Sequence, residues 1–519
     1  MTARSFVRPV FKEARALAFP WLACLAAMMQ PVIADSPNFL GGLSAPAYFV
    51  GTAALGALAI GHEYSSRTLS LLLSVPIQRT RLLAMKLGVL TAFLLLLCAA
   101  ADTFVFGDVR LPQSMRHTAS WVPVFGGLFL APWLTMVCRS ALGGAVFTIG
   151  LEGALYVIGE LLGIRFYGGG AVMEAFRLAF VWYGTIALCI VGGAMTWRLF
   201  WRLEAIEGPG QQVHLAYWLR GAGAAVTPAT DATRRRPVWR LVQKELHLQQ
   251  LSLALAALFV LGAAAALVMT TRVADPAYGS LFAALTFLYA GILPIVIGAS
   301  ASAGERQIGT LEWQILQPIE MWKQWGIKVG VVFGLASVLT VGLPMTLLDF
   351  GRLIVIPGTA TVIQPDRWMV MVLILFTTGS LYVSSLSRSA VWALAMSMPA
   401  TLAATAIIRL AWHRIAPPVE RMTREWALHF LRPDTIGAIN DARIVNWVTV
   451  FLILGFVTLI LQFAFTNHRS ADRASVRVWR QLAILAMFAI GAVTLHAAAI
   501  GVVVANNLLQ LPPQLRITP

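Results

Sequence analysis

Apolar stretches of roughly 18 to 25 residues recur from one end of this sequence to the other, and most charged residues fall in the segments between them. At about 1.5 Å of rise per residue, each stretch is long enough to cross a hydrocarbon core of about 30 Å as a helix. Six such helices are predicted at 17–34, 44–61, 82–101, 120–138, 141–164 and 175–197. Six more follow at 251–270, 278–303, 325–348, 368–386, 389–409 and 446–466, and another at 482–504. The pattern predicts an all-α polytopic membrane protein of about thirteen spans.

Composition agrees. Of 519 residues, 58% are hydrophobic and 12% charged, with a mean hydropathy of +0.76, which is more apolar surface than a soluble core hides. The formal charge of +16 is spread along the connections between spans instead of one folded domain, so a nucleic-acid partner is not expected. With a cytosolic N-terminus, about 25 of the 39 Lys and Arg fall on the cytosolic side, which favours this orientation and an external C-terminus. The basic start before the first span resembles a signal peptide, but the apolar stretch is longer than the usual h-region and a similar Lys-Glu lead-in precedes the seventh span. It is read as a retained span. Cys24, Cys98, Cys138 and Cys189 all fall inside expected spans, so neither a disulfide framework nor a metal site is expected.

The chain also repeats itself. After the second span it reads His62-Glu63-Tyr64-Ser65-Ser66-Arg67-Thr68-Leu69, and after the eighth Gly304-Glu305-Arg306-Gln307-Ile308-Gly309-Thr310-Leu311. At one constant spacing of 242 residues, Glu63, Thr68, Leu69, Pro76, Ile77, Lys86 and Gly88 meet Glu305, Thr310, Leu311, Pro318, Ile319, Lys328 and Gly330. Lys12-Glu13 and Lys244-Glu245 before the first span of each half, and Arg139-Ser140-Ala141 and Arg388-Ser389-Ala390 between the fourth and fifth, echo one another at slightly different spacings. Six spans per half give both halves the same direction of insertion, a parallel repeat. The expected organisation is a first unit at 1–203, a cytosolic linker at 204–236 rich in Gly, Ala, Pro and Arg, a second unit at 237–467, and a cytosolic loop, extra span and external tail at 468–519.

Each repeated segment reads as a cytosolic elbow, near 63–76 and 305–318. A span ends, a Glu follows, Thr68 or Thr310 offers an N-cap, and Pro76 or Pro318 closes a short helix. Leu69, Leu72 and Leu73 share one face, as do Leu311 and Ile315. Such a helix is too short to cross and too apolar to float free, so it lies on the membrane surface or against a soluble partner. Basic residues for Glu63 and Glu305 are close in sequence, Arg67 and Lys86 in one copy and Arg306 and Lys328 in the other.

With six spans per unit, a Glu and Gly309-Thr310-Leu311-Glu312 after the second span, and a Pro before the third, the chain resembles permeases of the ABC type-2 exporter superfamily; the first copy has Arg67-Thr68-Leu69-Ser70 at that place. The resemblance implies two fused permease units in a bacterial inner membrane, with coupling helices formed by the elbows and amphipathic connecting helices near 1–15 and 234–248. It implies that Glu63, Thr68, Leu69, Leu72, Leu73, Pro76, Glu305, Gly309, Thr310, Leu311, Glu312 and Pro318 couple the chain to two copies of a nucleotide-binding ATPase subunit. No Gly-x-x-x-x-Gly-Lys-[Ser/Thr] stretch occurs, so the chain is not expected to be an enzyme or to hold a cofactor; ATP and Mg belong to the partner.

Charged groups inside spans need a reason, since each costs at least about 2.5 kcal/mol on insertion scales. Glu152 and Glu160, eight residues apart on nearly the same face, read either as a polar patch on a substrate path or as partners of a buried Arg. Asp102 and Asp349 read as solvated span ends and His496 as a helix-packing hydrogen bonder. The segment 411–445, with Trp412, Arg421, Arg424, Trp426, Phe430 and Arg432, suits an external connection at the headgroup level. An ion-gradient-driven secondary transporter fits less well, because mid-depth acidic clusters and inverted repeats are weak or absent. A membrane-embedded enzyme fits least, because no His/Asp/Glu set has metal spacing or nucleophile pairing.

Overall fold

A computed structural model describes residues 3–29, 44–65, 78–107, 113–167, 171–202, 237–273, 276–308, 319–354, 367–387, 389–430, 441–469 and 475–510, and among these every regular element is a helix. The first six are α1 (Ala3–Met28), α2 (Ser44–Ser65), α3 (Arg79–Phe104), α4 (Gln113–Cys138, with a π-helical segment Gly126–Leu130), α5 (Ala141–Tyr167) and α6 (Ala171–Trp201). Then come α7 (Pro237–Leu248), α8 (Gln250–Val273), α9 (Pro276–Ile308) and α10, in which Met321–Ser337, a π-helical segment Val338–Gly342 and Leu343–Ile354 follow without a break. The last are α11 (Arg367–Leu386), α12 (Ala390–Phe430), α13 (Asp441–Arg469) and α14 (Ser475–Gln510).

Among the described residues, eleven helices are long and apolar enough to cross a membrane, and the chain is an all-α integral membrane protein. The other two expected spans fall on α1, whose first half is basic, and on α11, whose described apolar stretch is Val372–Leu386.

The helices gather into two compact units, Met1–Thr401 and Leu402–Pro519. In the first, α2 and α9 are the central helices, with 89% and 78% of their apolar windows buried. Without a hydrophobic drive between helices in lipid, small residues that let backbones approach take over, and both helices are rich in Ala and Gly. A methyl group on Gly56 of α2 would overlap the Gly127 carbonyl and press on Ala131 of α4; one on Gly298 of α9 would overlap Ser380 of α11. Glycine-for-glycine these contacts lie 242 residues apart, and Ala131 and Ser380 stand at the spacing of the two Arg-Ser-Ala stretches. Those stretches themselves have a local reason: Ser140 and Ser389 cap the helices that follow, accepting from the N–H of Gly143 at 3.2 Å and of Trp392 at 3.4 Å.

The two halves meet in a crossed pattern. Phe19 of α1 stacks on Trp392 of α12 at 5.7 Å, and Cys24, Ala27 and Gly51 lie around one crevice with Ala395, Met398 and Pro399. On the other side Gly150 of α5 faces Leu258 of α8, while α9 packs against α2 and α5. α1 thus meets α12, and α5 meets α8.

Several boundaries differ from expectation. The connecting segment before the first span is continuous with it in α1, whereas α7 and α8 separate at Gln249. Gln249 is buried there, its amide donating to the Ile297 carbonyl at 3.0 Å and its oxygen accepting from Ser252 and Ser300, each at 3.0 Å. α2 and α9 run past Glu63 and Glu305 instead of ending before them. In the second unit, α12 continues as helix to Phe430 where a connection was expected from 411. Ile408, Ala411, Trp412, Ile415, Ala416 and Val419 form a stripe at helical spacing that packs on Val493 and Ala497 of α14, and this burial outweighs Pro417 and Pro418. His496 of α14 hydrogen-bonds Thr449 of α13 at 3.2 Å and lies 5.4 Å from the Trp412 ring. Arg432 lies outside the described residues.

Gly56→Ala should destabilise the bundle by roughly 1–3 kcal/mol through overpacking against backbone. Gly88→Ala, with open space around its new methyl group, should be neutral or slightly stabilising. Thermal unfolding of the detergent-solubilised chain checks this, and equal midpoints for the two variants would contradict the packing described.

Candidate functional site

Two lysines sit where apolar side chains belong. Lys86 shares its face of α3 with Leu82, Leu83 and Leu90, beside a core of Ile60, Met136 and Phe200, and its side chain is 1% exposed. An ammonium without water needs acceptors for three N–H bonds. Its Nζ donates to Glu13 Oε1 of α1 at 2.9 Å, Glu63 Oε1 of α2 at 3.2 Å and the Ala59 carbonyl at 3.3 Å.

Lys328 of α10 repeats the arrangement between Trp325 and Val332, also 1% exposed. It contacts Glu245 Oε1 and Oε2 of α7 at 3.1 and 3.2 Å, Glu305 Oε2 of α9 at 2.7 Å, and the Ala301 carbonyl at 3.0 Å. Each lysine therefore joins a lead-in helix, the end of a central helix and the start of the helix after the elbow. The carbonyl used is in both cases one turn before the central-helix Glu, and Ala59 and Ala301 share the 242-residue spacing of Lys86 and Lys328.

The copies differ in charge. Lys244 Nζ joins the second cluster, 2.5 Å from Glu305 Oε1, whereas its counterpart Lys12 is exposed. At Glu245, which lies outside the spans, burial pushes the carboxyl above its ordinary value and the Glu305 charge adds to this, while Lys328 and Lys244 pull the other way.

Of the site residues read from sequence, Glu63 and Glu305 are thus brought into matched clusters with Lys86 and Lys328. Arg306 turns instead to the end of α11, donating to the Ser385 carbonyl. Glu13 and Glu245 complete the clusters and were visible only as the Lys-Glu echo, which carries no hint of burial on an amphipathic helix. Thr68, Leu69, Leu72, Leu73, Pro76, Gly309, Thr310, Leu311, Glu312 and Pro318 lie outside the described residues.

Glu152 and Glu160 on α5 are both buried but fare differently. Glu160 Oε2 pairs with Arg177 Nη1 of α6 at 2.8 Å, and Arg177 also lies over the Tyr156 ring. Among the described residues Glu152 Oε1 has no hydrogen-bond partner. Asp102 is not simply solvated: Arg116 of α4 donates to its Oδ1 at 2.7 Å, with Ser120 at 3.4 Å. Among the described residues no three His, Cys, Asp or Glu side chains gather as metal ligands. No family model, curated protein or solved structure matches this chain.

Removing one member of a buried ion cluster leaves uncompensated charge, which typically costs about 3–5 kcal/mol. Lys86→Met and Lys328→Met should each lower thermal stability by that order, and Lys86→Met combined with Glu13→Gln and Glu63→Gln should recover most of the loss. A Lys86→Met protein as stable as the parent would refute the buried-cluster assignment.

Proposed function

We propose that this chain is the membrane-spanning permease of an ATP-driven transporter, an exporter, built from two tandem six-helix units in parallel orientation plus one extra C-terminal span, thirteen in all. The repeated clusters at Lys86 and Lys328 carry this reading, because duplicated sequence alone would not require the same lysine, two carboxylates and carbonyl to meet twice. The crossed contacts of first and fifth spans and the matched Ser140 and Ser389 caps support it. Each cluster ties the helix before and the helix after an expected elbow, near 63–76 or 305–318, to a lead-in helix. A short apolar helix held that way transmits a push from a soluble subunit into the bundle, so two ATPase copies dock, one per elbow, and ATP and Mg stay with them. Glu63 and Glu305 act as mechanical anchors here and not as acids or bases.

Leu69→Asp together with Leu311→Asp should abolish co-purification of the ATPase encoded beside this chain while the permease stays monodisperse. Retained binding in that double variant sinks the docking assignment. Glu63→Gln with Glu305→Gln should leave docking intact and lower transport per ATP hydrolysed.

The basic bias of the connections supports a cytosolic N-terminus and an external C-terminus. A Ser470→Cys variant should then react with an impermeant maleimide only after the membrane is opened, and a Thr359→Cys variant in sealed cells; the reverse pattern overturns the topology.

One observation favours a second reading, an ion-gradient-driven transporter: the buried, unpaired Glu152 is the kind of group a proton relay uses. Transport in proteoliposomes that contain no ATPase would decide for it.

A further inference from the structure

Among the described residues six carboxylates are buried: Glu13, Glu63, Glu152, Glu160, Glu245 and Glu305. Five of them contact a cation. Lys86 serves Glu13 and Glu63, Lys328 serves Glu245 and Glu305, and Arg177 serves Glu160. Glu152 is the exception, at 7% exposure and inside a span.

Its surroundings explain what a partner would have to overcome. Oε1 is enclosed without a donor in reach. It fills the space left by the missing side chain of Gly126, where a methyl group would overlap it, at the first residue of the π-helical segment of α4. Tyr48 of α2 and Cys189 of α6 are close enough to sense its charge, and neither is a cation near neutral pH. Arg116 of α4 is engaged with Asp102, and Arg177 of α6 with Glu160. α8 meets α5 near this level through Leu258 at Gly150. Among the described residues a bare carboxylate in such a place finds neither counter-charge nor hydrogen bond at Oε1, and a group so placed neutralises instead.

We infer that Glu152 is a proton-binding site: it holds one proton at neutral pH as a neutral acid among α2, α4, α5 and α6, and it releases that proton only when water or a cation reaches it between α4 and α5. The exchange is –COOH to –COO⁻ with the proton passing to water, so no further reactant is needed. The inference does not depend on ATPase docking, since it concerns the permease chain by itself.

Infrared spectroscopy of the full chain at pH 7, in a detergent free of ester groups, tests it. The parent should show a protonated-carboxyl band worth one group per chain that shifts on deuteration, absent in Glu152→Gln and kept in Glu160→Gln. No such band in the parent, or a band that persists in Glu152→Gln, overturns the inference. Should Glu152→Gln fail to fold, Glu152→Asp must shift the band, and an unshifted band has the same force. The ATPase-docking proposal is untouched by either result, and its own test leaves this one standing.

Discussion

A lysine ammonium stripped of water has to be surrounded by acceptors or it does not stay charged, and this constraint organises the bundle around Lys86 and Lys328. Their stems pack in apolar cores while their Nζ atoms gather carboxylates from two other helices and a carbonyl from a helix interior. Three helices are thereby tied at one point, with a specificity that sliding apolar faces do not have. A cluster of this kind need not add net stability over a well-packed apolar one, because desolvation opposes the Coulomb gain. What it does is fix the register of α1 on α2 and α3, and of α7 on α9 and α10.

The same device is set differently in the two halves. In the first, the lead-in segment and the apolar stretch after it form one continuous α1, so Glu13 is held by the same rod that stacks Phe19, less than two turns further on, against Trp392. In the second, the chain breaks at Gln249, which replaces the interrupted helix bonding with side-chain bonds to Ile297, Ser252 and Ser300. α7 is then a separate lever joined to α8 at a satisfied corner, and Lys244 adds a second cation on Glu305. Lys328 and Glu305 are thus tied to a short separate helix, whereas Lys86 and Glu63 are tied to a longer continuous one.

Much of this was legible in the sequence and some was not, for physical reasons. Apolar runs of span length located the eleven helices long and apolar enough to cross among the described residues, because lipid makes length and hydropathy nearly sufficient, and the 242-residue spacing already contained both lysines. The lead-in carboxylates escaped because a Lys-Glu pair on an amphipathic helix reads as a solvated face; only the third helix, far off in sequence, buries the Glu and leaves Lys12 outside. The extension of α12 escaped because Arg409, His413 and Arg414 mask the stripe from Ile408 to Val419, which is visible only at helical spacing. The π-helical segments at Gly126 and Val338 have no sequence signature that periodicity detects, yet one of them makes room for Glu152.

α5 carries both solutions to the problem of burying an acid, two turns apart. At Glu160 the neighbouring α6 turns Arg177 inward, and the pair is held further by the Tyr156 ring, so charge answers charge. At Glu152 the same α6 brings Cys189, and α4 brings a glycine at a widened helical turn, so the site supplies volume but no counter-charge. Volume suits a neutral acid, whose proton needs no ion beside it, and it would be wasted on a carboxylate, which needs donors more than space. A structural acid has no use for an environment of that kind, since Gln or Leu would fill it at lower cost. An ionisable group kept at such a place is explained by the ability to lose its proton when the helices around it part, which makes the gap at Gly126 part of the working machinery and not a packing defect.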